Sequence, residues 1–411
     1  MKIIFVHQNF PGQFLHLSKV LSKQKHEVYA VRVQDKKPYN YGGVKVLPYR
    51  VSTSSKRSDD LIVTDFESKI IRATSCLNHC LKLKDQGLEP DFIFAHHGWG
   101  ESLFLKEVWP NAKLALYCEF FYHAKGFDSD FDPELQNNDL NQRIKIQCKN
   151  INNYLHFPLA DGALSPTKWQ ADTFPHPFRK KISVIHDGID TRNLNPRRNV
   201  SLTLNSSQII DQDSQVLTYI SRDLDPFRGF HIFMRALPEL LEYSKELKVI
   251  IIGGDGPGYG ARHPSGRSWK DIFVEEVFPS LSQSQKERVF FLGKVPYNQY
   301  LTILRLSTVH VYFTYPFILS WSFLESMSLG CSIVASNTPP VMEVMEDRKH
   351  GLLTDFFDPR KLSNRVIELL DSPSLRKKLS INARELVVQK YDLNKVCIPK
   401  QIDWLSNLVD L

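Results

Sequence analysis

Short apolar runs alternate with amphipathic segments along the first half of the chain. Residues 3–6 are an apolar run that ends in turn-forming residues, which is typical of a short strand. Apolar positions between residues 14 and 21 then recur at helical spacing, and residues 27–33 return to strand character. Further apolar runs predict strands at 91–95, 112–117 and 160–164.

The alternation stops at a polar segment, residues 191–213, which we interpret as an interdomain linker. It then restarts. Strands are predicted at 216–220, 248–253, 289–292, 309–314, 332–335 and 351–354. Helices are predicted at 229–242, 297–306, 321–329 and, as a terminal amphipathic helix, 393–408.

Strands that alternate with helices favour a parallel sheet covered on both faces, and 411 residues are too many for one ordinary core. The expected fold class is therefore α/β, with two doubly wound domains facing each other across a ligand-binding cleft. The expected domains are residues 1–190 and 214–390, joined by the linker. A helix at about 391–411 is expected to pack back on the first domain.

Composition narrows the function classes. The chain has 42% hydrophobic and 24% charged residues and a net charge of +7, which are the values of a globular protein with a preference for anionic partners. Basic residues do not alternate with aromatic ones in a stripe, so nucleic acid is a poor candidate. The N-terminal apolar run is too short for a signal peptide, and no stretch is long enough to cross a membrane. We expect a cytoplasmic protein, at most peripheral to a membrane.

Two arginines are the strongest functional candidates. Arg222 follows the strand at 216–220, so it should lie at the carboxyl edge of the sheet, and Arg228 precedes the glycine that opens the next helix. Guanidinium groups match phosphate oxygens in a bidentate way. The pair therefore predicts a diphosphate site, with a solvated charged loop as the alternative.

Glu325 lies between Leu324 and Met327 in a short predicted helix, where a carboxylate has little access to water. A buried carboxylate needs a partner. Ribose hydroxyls would serve as donors, and an ion pair within the protein is the alternative.

Glycines follow two strands. Gly254 lies in the glycine-rich turn at 250–260, and Gly12 lies at the first turn from strand to helix. Each permits a backbone amide to approach a ligand closely, and each has a tight structural turn as its alternative.

Polar side chains also follow two strands of the first domain. His96, His97 and Trp99 come after the strand at 91–95, and Glu119 comes after the strand at 112–117. Histidines here would bind hydroxyls or move protons, although a structural role is equally typical of a histidine at a strand end.

Asp128 and Asp130 form an Asp-x-Asp pair that invites a metal interpretation, but a solvated acidic loop is favoured and no metal is expected. Basic clusters at 178–181 and 196–198 are interpreted as surface charge, with contact to an anionic membrane as the alternative.

Several segments in order resemble glycosyltransferase family 4, in particular a bacterial branch of it. They include FPGQF, HGWGE, EFFYHAKGFDSDFDPE and SPTKWQ in the first half. VIHDGIDT, SRDLDPFRG, IIGGDGPG, FLGKVP and SFLESMSLGCSIVAS follow. The resemblance covers nearly the whole chain and implies two facing Rossmann-like domains, the GT-B architecture. It also implies transfer of a sugar, expected to be a hexose, from a nucleotide donor with retention of configuration.

The resemblance also implies residue roles. Arg222 and Arg228 would neutralise the diphosphate, although the family more often has lysine at the second position. Glu325 would hold the ribose, and Lys294 and Val295 would line the base pocket. Backbone amides near Ser320 and Trp321 would meet the phosphates or the donor sugar. No metal or other cofactor is implied, because basic side chains and helix N-termini stabilise the diphosphate.

One position departs from the family pattern. The family usually carries a glutamate eight residues before the ribose glutamate, and this chain has Phe317 there. Two other functions therefore stay open: a non-catalytic nucleotide-sugar binder, and a sugar-nucleotide epimerase on the same scaffold. The donor base, the donor sugar, the acceptor and the oligomeric state carry no readable signal.

Overall fold

The structure is a computed structural model that describes residues 1–51, 61–135, 139–197, 199–205, 208–260 and 262–409. The chain divides into two compact units. The first unit consists of Met1–Gly188 with Leu393–Leu411, and the second unit is Ile189–Asp392.

The first unit is built on an eight-stranded sheet with the order β3-β4-β2-β1-β5-β6-β7-β8. Only the edge pair β3–β4 is antiparallel, and the other described pairs are parallel. The strands are β1 (Lys2–Val6), β2 (Glu27–Val33), β3 (Tyr39–Tyr41), β4 (Val44–Tyr49), β5 (Phe92–His96), β6 (Lys113–Tyr117), β7 (Gly162–Ser165) and β8 (Ile182–Val184).

Both faces of this sheet are covered, as the continuous apolar runs of its strands require. Successive side chains of a strand point to opposite faces. In β1, Ile4 and Val6 therefore join one core cluster, and Ile3 and Phe5 join the other.

The helices of the first unit come mostly from the connections between strands. They are α1 (Leu17–Lys23), α2 (Leu61–Asp85), α3 (Leu105–Val108), α4 (Leu140–Cys148), α5 (Ile151–His156), α6 (Lys168–Asp172), α7 (His176–Arg179) and the terminal α16 (Ile398–Leu408). α16 completes one core, because Ile398 and Leu405 are buried there and the Trp404 ring lies 5.4 Å from the ring of Phe94. A π-helical turn, Leu393–Cys397, leads into it.

The second unit is built on a six-stranded parallel sheet with the order β13-β12-β11-β14-β15-β16. Its strands are β11 (Val216–Asp223), β12 (Lys248–Gly254), β13 (Val289–Gly293), β14 (Val309–Tyr312), β15 (Ile333–Ser336) and β16 (Leu352–Thr354). Its helices are α8 (Phe230–Tyr243), α9 (Trp269–Val277), α10 (Gln283–Lys286), α11 (Tyr297–Leu306), α12 (Trp321–Ser328), α13 (Pro339–Met342), α14 (Pro359–Asp371) and α15 (Pro373–Lys390).

The segment expected to be a linker, residues 191–213, instead belongs to the second unit. It contains an antiparallel pair, β9 (Leu202–Asn205) and β10 (Gln208–Ile210). Most residues of this segment are polar, so the sequence did not indicate that two of its apolar residues pack in the core of that unit. These residues are Leu194 and Ile210. Arg198, which ends the second basic cluster, lies outside the described residues.

Among the described residues, no helix combines the length and the apolar character that a transmembrane span requires.

Candidate functional site

In the first unit, the turn after β1 brings a glycine against a histidine. Gly12 has φ +45°, and a Cβ atom built on it would lie 2.3 Å from His7 Nε2. The glycine predicted to face a ligand therefore has a second use, which is to leave room for the imidazole of His7. Sequence reasoning missed His7, although it directly follows β1.

His7 begins a chain of hydrogen bonds that ends on a carboxylate. Its Nδ1 accepts from the Asn9 N–H at 2.9 Å, so Nε2 carries the proton and donates to Gln13 Oε1 at 2.8 Å. Gln13 Nε2 in turn donates to Glu119 Oε1. Burial is the main reason that the pKa of His7 falls to about 3, so this imidazole is neutral at physiological pH.

His96 lies on the other side of the same carboxylate. Its Nδ1 accepts from the Gly98 N–H at 3.0 Å, and its Nε2 lies 3.2 Å from Glu119 Oε2. The ring of His96 stacks on that of Trp99, with ring centres 4.0 Å apart. The structure thus brings together Gly12, His96 and Glu119.

Glu119 is a charged acceptor rather than a base. Burial opposes its charge, but His96, His97 and His7 outweigh that effect and hold the pKa of Glu119 below its ordinary value. A general base works best with a pKa near the operating pH. A half-buried carboxylate that stays ionised is better suited to accept hydrogen bonds from hydroxyl groups.

His97 is almost fully buried, and both of its ring nitrogens are occupied. Its Nδ1 donates to Asn153 Oδ1 at 2.8 Å, and its Nε2 accepts from the backbone N–H of Glu119 at 3.2 Å. The pKa of His97 falls to about 3 because of this burial. His97 therefore holds the backbone of Glu119 in place and does not offer a free nitrogen to a ligand.

In the second unit, Arg222 lies near the carboxyl end of β11 with its side chain 59% exposed. Its guanidinium lies 4.3 Å from the ring centre of Tyr259, and its Nε lies 3.5 Å from Asp223 Oδ2. An exposed ion pair of this kind contributes only about 0–1 kcal/mol. The acidic neighbour therefore does not lock Arg222 in place.

Arg228 is buried and is held only by neutral oxygens. Its Nη1 donates to Thr314 Oγ1 at 2.7 Å and to Tyr312 Oη at 3.3 Å, and its Nη2 donates to the Ile318 carbonyl at 3.1 Å. Among the described residues, its guanidinium forms no ion pair. Burial opposes the charge, yet nearby tyrosines and Asp225 raise the pKa of Arg228 above its ordinary value.

Tyr259 connects the two arginines. The guanidinium of Arg228 lies 5.0 Å from the same ring centre, so the two cations are within about 9 Å of each other. This spacing suits the two phosphates of a diphosphate. Tyr259 belongs to the glycine-rich turn and gave no sequence signal of its own.

Asp225 fixes the position of Tyr259. Its Oδ2 accepts from the Tyr259 N–H at 3.0 Å, and its Oδ1 accepts from the Arg228 N–H at 3.2 Å. The turn can approach this closely because Gly258 has no side chain: a Cβ atom there would lie 1.3 Å from Asp225 Oδ2. The buried Asp225 thereby holds the backbone at Arg228 and at Tyr259, whose ring lies beside both arginines.

Gly254 and Lys294 meet beside Asp223. A Cβ atom on Gly254 would lie 2.4 Å from Lys294 Cε, and Lys294 Nζ lies 3.1 Å from Asp223 Oδ1. Val295, the other candidate for the base pocket, is half-buried against the core of the unit. Because Gly254 has no side chain, those of Lys294 and Asp223 can pack against its backbone. The sequence did not reveal this role.

The N-terminus of α12 is partly satisfied within the protein. The Ser320 N–H donates to Tyr312 Oη at 3.0 Å, and Ser320 Oγ caps the helix by accepting from Ser322 N. The Ser320 amide, predicted to meet a ligand, is therefore already bonded. Trp321 begins the helix and is 37% exposed.

Glu325 is less buried than its apolar neighbours suggested, and its partners are two tyrosines. Its Oε1 accepts from Tyr297 Oη and its Oε2 accepts from Tyr300 Oη, each at 2.6 Å. Neither ribose nor an ion pair is required to satisfy this carboxylate. Tyr297 is 56% exposed, so moving its hydroxyl away from Glu325 should cost little free energy.

Phe317 is buried among aromatic rings. It packs edge-on against Phe227 at 5.5 Å and against Tyr259 at 5.1 Å. It therefore supports the ring that carries both arginines. The side chain of phenylalanine has no polar atom, so it cannot make the polar contact that a glutamate could make from this position.

The acidic loop of the first unit is not fully solvated, contrary to the prediction. Asp128 is buried, and burial raises its pKa to about 6. Asp130 accepts from the Gly126 and Phe127 amides and so closes a turn.

Two family models match the chain. The model for the glycosyl transferase family 4 group covers residues 24–194, and the model for the glycosyl transferases group 1 covers residues 203–386. Between them they account for most of both units.

Curated relatives match more distantly. Spore coat protein SA of Bacillus subtilis is 24% identical over 224 residues, which are 53% of this chain and 57% of that protein. An uncharacterised glycosyltransferase of Methanocaldococcus jannaschii is 29% identical over 180 residues, which are 44% of this chain and 42% of that protein. A D-inositol 3-phosphate glycosyltransferase of Nocardioides is 23% identical over 208 residues, which are 50% and 44% of the two chains. The chain thus spans about half the length of these relatives.

Solved structures share the fold over the whole chain. Sucrose-phosphate synthase from Thermosynechococcus elongatus has a TM-score of 0.76 at 14% identity, with 100% of this chain and 99% of that chain covered. The Anabaena protein HepE, crystallised with UDP and glucose, has a TM-score of 0.66 at 16% identity, with 99% and 100% covered. These likenesses confirm the predicted α/β fold class with two Rossmann-like units. By its two family models and its fold, the chain resembles GT-B glycosyltransferases, with the family 4 group matched over residues 24–194 and group 1 over residues 203–386.

Proposed function

We propose that this protein is a retaining glycosyltransferase that moves a hexose from a nucleoside-diphosphate donor to an acceptor hydroxyl. The observation that carries the proposal is Arg228, a buried cation that only neutral oxygens hold. Asp225 is a nearby carboxylate, but among the described residues no carboxylate contacts the guanidinium directly. An anionic ligand would supply that direct contact, and Arg222 beside the same tyrosine ring would share it.

The chemistry assigned to the second unit is electrostatic. Departure of the nucleoside diphosphate develops negative charge on its phosphate oxygens, and preorganised cations stabilise that charge more in the transition state than before it. Arg228 is fixed by its three hydrogen bonds, and Arg222 is free to adjust. On this proposal no metal or other cofactor is needed.

The remaining donor contacts are assigned by position. Glu325 would accept from ribose hydroxyls once Tyr297 moves aside, and Lys294 with Val295 would flank the base. Gly254 and the start of α12 at Ser320 and Trp321 would lie near the phosphates. HepE binds UDP and UDP-glucose in its crystals, so UDP-sugars are the first donors to test.

The acceptor is assigned to the first unit. Glu119 stays ionised beside His96 and Gln13, and together they would hold an acceptor or donor hydroxyl by hydrogen bonds. Gly12 and His97 would support this group by placing His7 and the Glu119 backbone. An intracellular location is part of the proposal.

Arg222→Ala tests the proposal. A thermal-shift screen with UDP-, GDP- and ADP-sugars first identifies the donor, since a ligand that binds the folded state raises its apparent stability. Release of nucleoside diphosphate is then followed with a panel of acceptors. We expect Arg222→Ala to lower turnover roughly 100- to 1000-fold with an unchanged melting temperature.

Arg348→Ala is the matched control, because Arg348 is also exposed and paired with a carboxylate in the same unit. Normal turnover of Arg222→Ala would refute the assignment. The anomeric configuration of the product, read by NMR, decides between retention and inversion.

A non-catalytic nucleotide-sugar binder is the second candidate, and the burial of Phe317 favours it. Such a protein would show the same donor-induced thermal shift but would release no nucleoside diphosphate with any acceptor. An epimerase would instead convert the donor sugar without an acceptor, which the same reaction mixtures reveal.

A further inference from the structure

One surface of the first unit exposes apolar side chains in a regular pattern. α5 continues directly into a 3-10 turn, Phe157–Leu159. Tyr154 and Leu155 are exposed, and so are Pro158 and Leu159 four residues later. Positions that differ by four share one side of a helix, so these four form a continuous apolar strip.

The inner side of this strip packs on α7. The rings of Phe157 and Phe178 stack at 4.5 Å, and Tyr154 packs edge-on against Phe178 at 5.6 Å. Lys181 Nζ donates to the carbonyls of Phe157 at 3.2 Å and Ala160 at 2.8 Å. The basic cluster at 178–181 is therefore tied to the end of the apolar strip.

Basic side chains outnumber acidic ones in this part of the chain. Residues 140–181 contain seven lysines and arginines and two aspartates. In the neighbouring cluster Arg179 is paired with Asp172 at 2.7 Å, whereas Lys180 and Lys181 are exposed. We call Tyr154, Leu155, Pro158, Leu159, Lys180 and Lys181 the basic–apolar face.

We propose that the basic–apolar face binds the surface of an anionic lipid bilayer. This inference goes beyond glycosyl transfer and does not depend on it. Aliphatic side chains enter the headgroup boundary, tyrosine is favoured at the interface between apolar and aqueous layers, and lysine stems extend along apolar surface while the ammonium reaches lipid phosphates.

A protein partner fits this face less well. Lysine is depleted at protein–protein interfaces, where arginine is enriched. Here the exposed cations are Lys180 and Lys181, and the one arginine nearby is already engaged with Asp172. The combination of leucine, tyrosine and lysine is that of an interfacial helix.

Cosedimentation of the full chain with vesicles tests the proposal. One vesicle preparation contains only phosphatidylcholine, and the other contains equal parts of phosphatidylcholine and phosphatidylglycerol. We expect binding to the anionic vesicles and little to the neutral ones. The double variant Leu155→Gln/Leu159→Gln should weaken binding roughly ten-fold or more, and Lys180→Glu should weaken it most at low salt.

Two control variants match these changes on the second unit. Ile381 is 46% exposed where Leu155 is 47%, so Ile381→Gln controls for loss of an exposed apolar side chain. Lys378 is exposed in the same way as Lys180, so Lys378→Glu controls for net charge. Both controls should bind like the unaltered chain, with unchanged melting temperatures throughout.

Three outcomes would overturn the proposal. The first is that the unaltered chain binds neither vesicle. The second is that it binds both equally. The third is that Lys378→Glu and Ile381→Gln lose as much binding as the changes on the basic–apolar face, which would leave only non-specific attraction by the net charge.

Discussion

Replacing Tyr259 should separate the positioning of the arginine pair from its charge. The Tyr259 ring lies 4.3 Å from the guanidinium of Arg222 and 5.0 Å from that of Arg228. A cation over an aromatic ring is stabilised by about 0.5–1 kcal/mol at an exposed site and by about 2 kcal/mol when desolvated. Arg222 is the exposed case and Arg228 the buried one.

Tyr259→Leu removes the ring and leaves both charges. If both contacts hold the guanidinium groups where charge develops, the barrier should rise by about 2–3 kcal/mol, which is roughly a 30- to 150-fold loss in kcat. Tyr259→Phe keeps the ring and removes only the hydroxyl's contact with Arg228, so it should lose only a few-fold. The backbone bond from Tyr259 to Asp225 survives in both variants.

The assay is release of nucleoside diphosphate under steady-state conditions, with kcat and the donor KM determined separately. Tyr243→Leu is the control, because Tyr243 is a similarly exposed tyrosine of the same unit. The reasoning is refuted if Tyr259→Leu retains full kcat. A loss in Tyr259→Phe as large as that in Tyr259→Leu would show that the hydroxyl, and not the ring, is what matters.

Three further expectations follow from individual contacts. Tyr297→Phe removes the hydroxyl that occupies Glu325, so the donor should bind several-fold more tightly by calorimetry, a change of about 1 kcal/mol; weaker binding would mean that Tyr297 instead orients the carboxylate. Gly12→Ala drives a methyl group against His7 and should lower the free energy of unfolding by about 1–3 kcal/mol in a denaturant titration; Gly87→Ala, where φ is +87° but no atom lies within 4 Å, should cost less. Acidification should destabilise the chain, because the folded state keeps several histidines neutral that the unfolded state protonates: His7, His97, His186 and His310. Their folded pKa values of about 3 to 4 lie below the ordinary value of 6.5, so this stability is complete above pH 6.5 and is lost as pH falls toward the folded values, by up to about 2 kcal/mol each at pH ~5. Three of the four lie in the first unit, so hydrogen exchange should show its amides losing protection first, and equal loss in both units would contradict this account.

The expectation that functional side chains follow the carboxyl ends of parallel strands was the most productive part of the sequence reasoning. It singled out Arg222, His96 and Glu119, because parallel strands bring their carboxyl ends to one edge of a sheet, and their role in the site stays a prediction. The same rule applies to His7, which follows β1, but the neighbouring turn drew attention to Gly12 instead. His7 was therefore predictable from the sequence, and its bond to Gln13 was not.

Contacts between segments that are distant in the sequence could not be predicted from it. Glu325 was expected to need a partner, but nothing in its surroundings pointed to Tyr297 or Tyr300, which lie on another helix. Tyr259 acquires its position from a backbone bond to Asp225, more than thirty residues earlier. The hairpin in residues 191–213 was missed because only two buried residues, Leu194 and Ile210, mark it.

The terminal helix α16 has a consequence for how the protein is made. Its residues Ile398 and Leu405 fill a core whose other members, apart from Leu393, lie between Ile3 and Leu164, and Gly162 leaves the space that Leu408 occupies. During synthesis the nascent N-terminal unit must therefore wait, with that apolar face uncovered, until more than two hundred further residues have left the ribosome. The second unit is contiguous and is free to fold first, which reverses the usual order of vectorial folding.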